Sequence, residues 1–251
     1  MTVTSLILLL LALGCVGFFL GRSRAMASAQ GDMRRLHSLP NYYGWHGAIM
    51  AFLPALLFVT LWSIAQPLLI ERQLAGFFPA EQFENEADRI LLMADVRRVA
   101  QGIDSAVVAG ALSADDAIAL NIADDDVRAR LAEVGVALGA AVTAEVLQAA
   151  QSYRELSSTG GLFRSIFTIL VALGGLAYAI TLTHADLRAR NRVEAVVLGL
   201  LMLASTIAIL TTIGIVVSML SETIRFSTMY PFADFLFGLT WAPTFQGNSQ
   251  L

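Results

Sequence analysis

The sequence predicts an all-α, multi-pass membrane protein with four transmembrane helices and a small helical periplasmic domain. Three observations carry that prediction. Apolar residues make up 57% of the 251-residue chain and charged residues only 14%, against roughly 45–50% and 25% in an average soluble domain. The mean hydropathy is +0.68, and the apolar excess is gathered into four long runs. Arginines cluster in two of the connections between those runs, while acids collect in the third.

A helix crossing the ~30 Å hydrocarbon core needs about 20 mostly apolar residues, because its backbone polar groups find no water there. Residues 3–20 (VTSLILLLLALGCVGFFL) form the first such run, 46–70 the second, 163–183 the third and 193–220 the fourth. Arg164 and Glu194 fall at run ends, where a long side chain reaches the interface. Pro54 and Pro67 lie in the second run. Membrane helices tolerate proline, so a packing kink is expected at Pro54 and termination near Pro67.

Cys15, in the first run, is the single cysteine, which excludes an intrachain disulfide and a cysteine-rich zinc site. It reads as a small lipid-facing or helix-packing residue. A lipoprotein site at Leu13-Gly14-Cys15, or signal-peptide cleavage at Ala25-Met26-Ala27, would want a positive charge ahead of the run. Here the arginines follow it.

Orientation follows from those arginines. Connection 22–45 carries Arg22, Arg24, Arg34 and Arg35 against Asp32, and 184–192 carries Arg188, Arg190 and Arg192 against Asp186. Cytoplasmic flanks are enriched in basic residues, so both connections are expected inside. Segment 71–162, with fifteen acids and seven arginines, has a net charge of −8 and is expected outside, as are both termini. The expected organisation has four parts. Residues 1–70 are two transmembrane helices joined by a basic cytoplasmic loop, and 71–162 are an acidic helical periplasmic domain. Residues 163–220 are two transmembrane helices joined by a short arginine-rich cytoplasmic loop, and 221–251 are a periplasmic segment.

Within 71–162, Phe77, Phe78 and Pro79 open the segment near the interface, where aromatic rings are favoured. Residues 84–100 put Ile90, Leu91, Val96 and Val99 at helical spacings. Ser113 and Asp116 form a capping-box-like start ahead of Ile118 and Leu120. Asp124, Asp125 and Asp126 read as acids at a helix N-terminus. They lack the alternating ligands and turn glycine of a calcium loop. Gly102, Gly110, Gly135 and Gly139 mark turns or close helix contacts, and residues 157–161 (SSTGG) read as a short flexible linker into the third span.

No chemistry announces itself. His37, His46 and His184 fall in or beside the basic connections without a second ligand at metal spacing. Walker A, H-E-x-x-H and G-x-S-x-G sequences are absent, and no ionisable residue lies at mid-depth in a run. The reading is therefore a non-enzyme: catalytic, cofactor-binding and metal residues none, substrate-binding residues unassigned, cofactors none. A net charge of −4 with no basic aromatic stripe excludes nucleic acid as a partner and leaves membrane lipid. All 16 basic residues are arginine. Ser205, Thr206, Thr211, Thr212 and Ser218 in the fourth run offer hydrogen bonds between helices or along a solute path.

Three segments together carry a resemblance. Gly21-Arg22-Ser23-Arg24-Ala25 is followed by Arg35-Leu36-His37-Ser38-Leu39-Pro40-Asn41-Tyr42-Tyr43-Gly44. Ile209-Leu210-Thr211-Thr212-Ile213-Gly214-Ile215-Val216-Val217-Ser218 runs into Ser221-Glu222-Thr223-Ile224-Arg225-Phe226. Phe232-Ala233-Asp234 leads into Phe235-Leu236-Phe237-Gly238-Leu239-Thr240-Trp241-Ala242-Pro243. The chain resembles the amino-terminal region of phosphate ABC-transporter permease subunits of the PstC type. In that family an F-L-F-G-x-x-W-x-P stretch follows the first helix of the permease proper. The resemblance implies a component of an ATP-driven inorganic phosphate importer in the bacterial inner membrane. It also implies partners: a second permease subunit, cytoplasmic ATPase subunits that hydrolyse ATP, and a periplasmic phosphate-binding protein. The family's E-A-A…G…L-P coupling loop has only a chance echo in Glu194-Ala195 and Gly199, so the chain is expected to end before the permease core. The alternative is a stand-alone membrane scaffold or regulatory protein that binds a partner through its periplasmic domain.

Overall fold

Helix ends are set by local chemistry that can be read atom by atom in the computed structural model, which describes residues 1–78, 86–110, 112–120, 143–229 and 237. Helix α1 (Val3–Ser28) starts on Thr2, whose hydroxyl accepts the Ser5 amide at 3.2 Å. It ends in a Schellman turn: Gly31 N–H donates to Met26 O and Gln30 N–H to Ala27 O. Gln30 takes the left-handed conformation at φ 56°, and its carboxamide oxygen accepts Arg35 Nη1 at 2.7 Å. A single 3-10 turn, Met33–Arg35, follows, capped by Asp32 Oδ1 on the Arg34 amide. Helix α2 (Pro40–Leu74) opens on a proline, which needs no helical donor at that position.

A second 3-10 turn, Ala75–Phe77, follows α2, and four α-helices complete the described structure: α3 (Glu86–Val108), α4 (Ala114–Ala119), α5 (Ala144–Leu182) and α6 (Ala189–Met229). Helix α5 is capped by Thr143, with Glu145 in its first turn complementing the helix dipole. Helix α4 begins directly after Ser113, whose carbonyl accepts the Ala117 amide. Gly110, at φ 75°, turns the chain after α3. All described regular structure is helical, and α1, α2, α5 and α6 are each long and apolar enough to cross a membrane. Residues 124–126, Gly135, Gly139 and 232–243 apart from Phe237 lie outside the described residues.

The described residues form two units, Met1–Arg190 and Asn191–Leu251. In the first, α1 and α2 meet along small residues. The buried face of α1 runs Leu6, Leu10, Gly14, Gly17, Gly21 and Ala25, and that of α2 includes Gly44, Gly47, Ala48, Ala51 and Ala55. A Cβ on Gly17 would stand 2.8 Å from the Gly47 carbonyl oxygen, and one on Gly21 2.5 Å from the Tyr43 oxygen. Backbone therefore touches backbone, the arrangement that lets membrane helices gain dispersion and Cα–H···O contacts without a hydrophobic drive. Cys15 lies on the exposed side of α1.

Pro54 and Pro67 both sit inside α2 without ending it. Pro54 has no N–H to give the Met50 carbonyl, and the backbone of Gly175 on α5 packs against that oxygen. One proline thus creates the notch that a glycine on the neighbouring helix fills.

The linker expected at 157–161 is helix instead. Residues 157–161 lie within the unbroken α5, and the cause is the α2 side chains packed against them. Trp62 Nε1 donates to Gly160 O at 3.0 Å, Gln66 Nε2 donates to Ser157 O at 3.1 Å, and the Gln66 side chain covers the bare face of Gly160. Phe58 and Trp62 then meet Phe167 and Phe163 at centroid distances of 4.8 and 4.6 Å. At 1.5 Å per residue, α2 and α5 are ~52 and ~58 Å long, well beyond a ~30 Å core. Their projecting ends carry an apolar cluster made with α3 and α4. It includes Ile70 and Leu74 of α2, Val96, Val99 and Ile103 of α3, Ala117 of α4, and Val146 and Ala150 of α5. Arg97–Glu71 and Arg154–Asp104 ion pairs rim it.

The second unit is one long helix among its described residues. The hydroxyls of Thr206, Thr211 and Thr212 each donate to the carbonyl four residues back on α6 itself, so these threonines satisfy themselves locally.

Candidate functional site

Six arginines of the first unit gather at the end where α1 stops, α2 starts and α5 stops. Two connections meet there, and hydrogen bonds pin one to the other. Tyr43 is fully buried, and its hydroxyl proton is shared between Ala185 O at 2.9 Å and Leu187 O at 3.0 Å. His37 N–H donates to Ala185 O at 3.0 Å, and the Arg190 amide donates to Ser38 Oγ at 3.3 Å. Beneath these bonds lies a small apolar cluster of Ala25, Ala29, Leu36, Tyr43, Leu187 and Ala189. The apolar residues alternate with arginines, so packing the former inward presents the latter outward.

Arg22, Arg24, Arg34, Arg35, Arg188 and Arg190 are all exposed on this platform. Among the described residues no carboxylate pairs with Arg22, Arg24, Arg34 or Arg188. Asp32 is engaged as the cap of the 3-10 turn. A planar guanidinium presents a fork of donors that matches phosphate or carboxylate oxygens, so the platform can hold anions. Among the described residues no three histidines, cysteines or carboxylates come together to hold a metal.

The histidines part company here. His37 and His184 are exposed, and His184 Nδ1 lies 2.6 Å from Leu182 O. His46 is buried within α2, one helical turn beyond Tyr43. Residues 7–177, which take in the first connection and the outer cluster but not the second connection, match the family model described as phosphate ATP-binding cassette transporter. The chain belongs to that family. No curated protein and no solved structure matches it significantly.

As a phosphate ATP-binding cassette transporter chain, it is part of a multi-subunit class whose members work with partner subunits, and it is a membrane protein with a transport role. Sequence reasoning found the arginines of this transporter but passed over two structural features. Tyr43 was visible only inside the Tyr42-Tyr43-Gly44 segment, where nothing marks a buried hydroxyl that bridges to a connection 142 residues away. The glycine seam had a signal in Gly17-x-x-x-Gly21, the spacing that puts two bare backbones on one helix face.

Proposed function

We propose that the chain is the amino-terminal part of the permease of an ATP-driven inorganic phosphate importer in the bacterial inner membrane. The observation that carries the reading is the family match over residues 7–177, which takes in α1, α2, the outer helical cluster and most of α5. The arginine platform supports an orientation in which 22–45 and 184–192 face the cytoplasm, because basic residues flanking short loops are retained there. The acidic outer cluster and both termini then face the periplasm, where a phosphate-binding protein would deliver its cargo. A second permease subunit and ATPase subunits complete the importer, and ATP hydrolysis belongs to the latter.

Two measurements test this. Disrupting the gene in its host is expected to abolish ATP-dependent phosphate uptake at low external phosphate, and uptake at the parental rate would sink the assignment. Reporter fusions at residues 30 and 188 are expected to read cytoplasmic, and one at residue 120 periplasmic. A cytoplasmic signal at 120 would overturn the orientation while leaving the transported solute untouched.

A further inference from the structure

The arginine platform has a second property that its charge alone does not explain. Met33 and Leu39, on the same connection as Arg34 and Arg35, are 62% and 70% exposed. Trp45, one turn into α2, is 55% exposed and meets Phe18 edge-on at 5.5 Å, with Phe19 exposed beside it. Arg22 and Arg24 follow Phe19 on α1 within two turns. Large apolar and aromatic side chains are thus interleaved with guanidinium groups, of which those of Arg22, Arg24 and Arg34 pair with no carboxylate among the described residues. That composition suits the boundary between headgroups and acyl chains, where rings and apolar residues sit below and arginines above.

We propose that this end of the bundle binds anionic phospholipid headgroups. The arginines take the phosphodiester oxygens, while Met33, Leu39 and Trp45 enter the acyl boundary. A lipid is favoured over a protein partner because neither connection projects from the bundle. The bonds from Tyr43, His37 and Arg190 hold both against the helix ends, so the guanidinium groups are kept at the end of the bundle. The proposal rests on the membrane reading and not on the transported solute, so its failure leaves the import assignment standing.

The test is native mass spectrometry of the full chain released from nanodiscs of equal phosphatidylglycerol and phosphatidylcholine. Retained lipid is expected to be enriched in phosphatidylglycerol. The double variant R34Q/R188Q, changed at exposed positions that leave the fold intact, is expected to bind phosphatidylglycerol roughly 25-fold more weakly, about five-fold per arginine. Arg98→Gln on α3 serves as the control and should leave the enrichment unchanged. Equal retention of the two lipids, enrichment that survives in R34Q/R188Q, or equal loss in Arg98→Gln would each overturn the proposal. So would displacement of the lipid by inorganic phosphate, which would make free phosphate the ligand, or by a co-purifying protein.

Discussion

Gly175→Ala is expected to destabilise the helical bundle, whereas Gly174→Ala, one residue earlier, is expected to be neutral. A Cβ at Gly175 would run into the Met50 carbonyl oxygen and carbon, while one at Gly174 would meet nothing within 4 Å. The obstacle is backbone, so it yields only if α2 and α5 move apart. That movement strips contact from the aromatic ladder of Phe58, Trp62, Phe163 and Phe167 as well. Overpacking of this kind costs about 1–3 kcal/mol, and the upper end applies where no side chain can rotate away. At about 2–4 °C per kcal/mol for a unit of this size, the midpoint should fall by roughly 5–10 °C. Circular dichroism melts of the two variants in the same detergent provide the comparison. Coincident midpoints would show that the α2–α5 contact is looser than described.

The second large effect is expected at Tyr43. Tyr43→Ala removes a fully buried ring from beneath the platform, and aromatic-to-alanine changes in cores cost about 3–5 kcal/mol. Tyr43→Phe keeps the ring and removes only the proton shared by Ala185 O and Leu187 O. Both carbonyls keep an amide donor, so the cost is that of a net hydrogen bond, about 0.5–1.5 kcal/mol. Hydrogen exchange separates the two. In Tyr43→Phe, the amides of His37 and Ala189, which bond to those same two carbonyls, should exchange faster, with the α1–α2 seam unchanged. In Tyr43→Ala the seam near Gly21 and Gly44 should loosen as well. Unaltered exchange at His37 in both variants would mean that the two connections do not depend on this residue.

What could be read from the sequence divides along physical lines. The four long helices were legible because crossing a bilayer imposes a length and a composition on consecutive residues, and 3–20, 46–70, 163–183 and 193–220 satisfy both. Where those helices end was not legible. Hydropathy stops reporting at the last apolar residue, but the helix does not. Residues 21–28 and 144–162 continue α1 and α5 through polar sequence. Ser157-Ser158-Thr159-Gly160-Gly161 has the composition of a linker, yet Trp62 and Gln66, about a hundred positions away, supply the bonds that hold it helical. The arginines of the platform were legible as charge. Their arrangement was not, because Tyr43 pairs residues across most of the chain.

The unbroken passage of α2 and α5 from the apolar core into the outer cluster has a consequence for how such chains can diverge. Each residue added to a helix turns everything beyond it by about 100° and lifts it by 1.5 Å. A one-residue insertion near Gly160 would swing the Ala149 and Ala150 face away from Val96 and Ile103, and the Arg154–Asp104 pair would part. Only changes close to whole turns, such as seven residues, nearly restore the phase. Even then α2 must lengthen by the same amount, or Trp62 and Gln66 lose their carbonyl partners on α5. The two helices are therefore phase-locked, and descendants of this architecture can drift freely in sequence along the stalk but can change its length only in matched, near-integral turns.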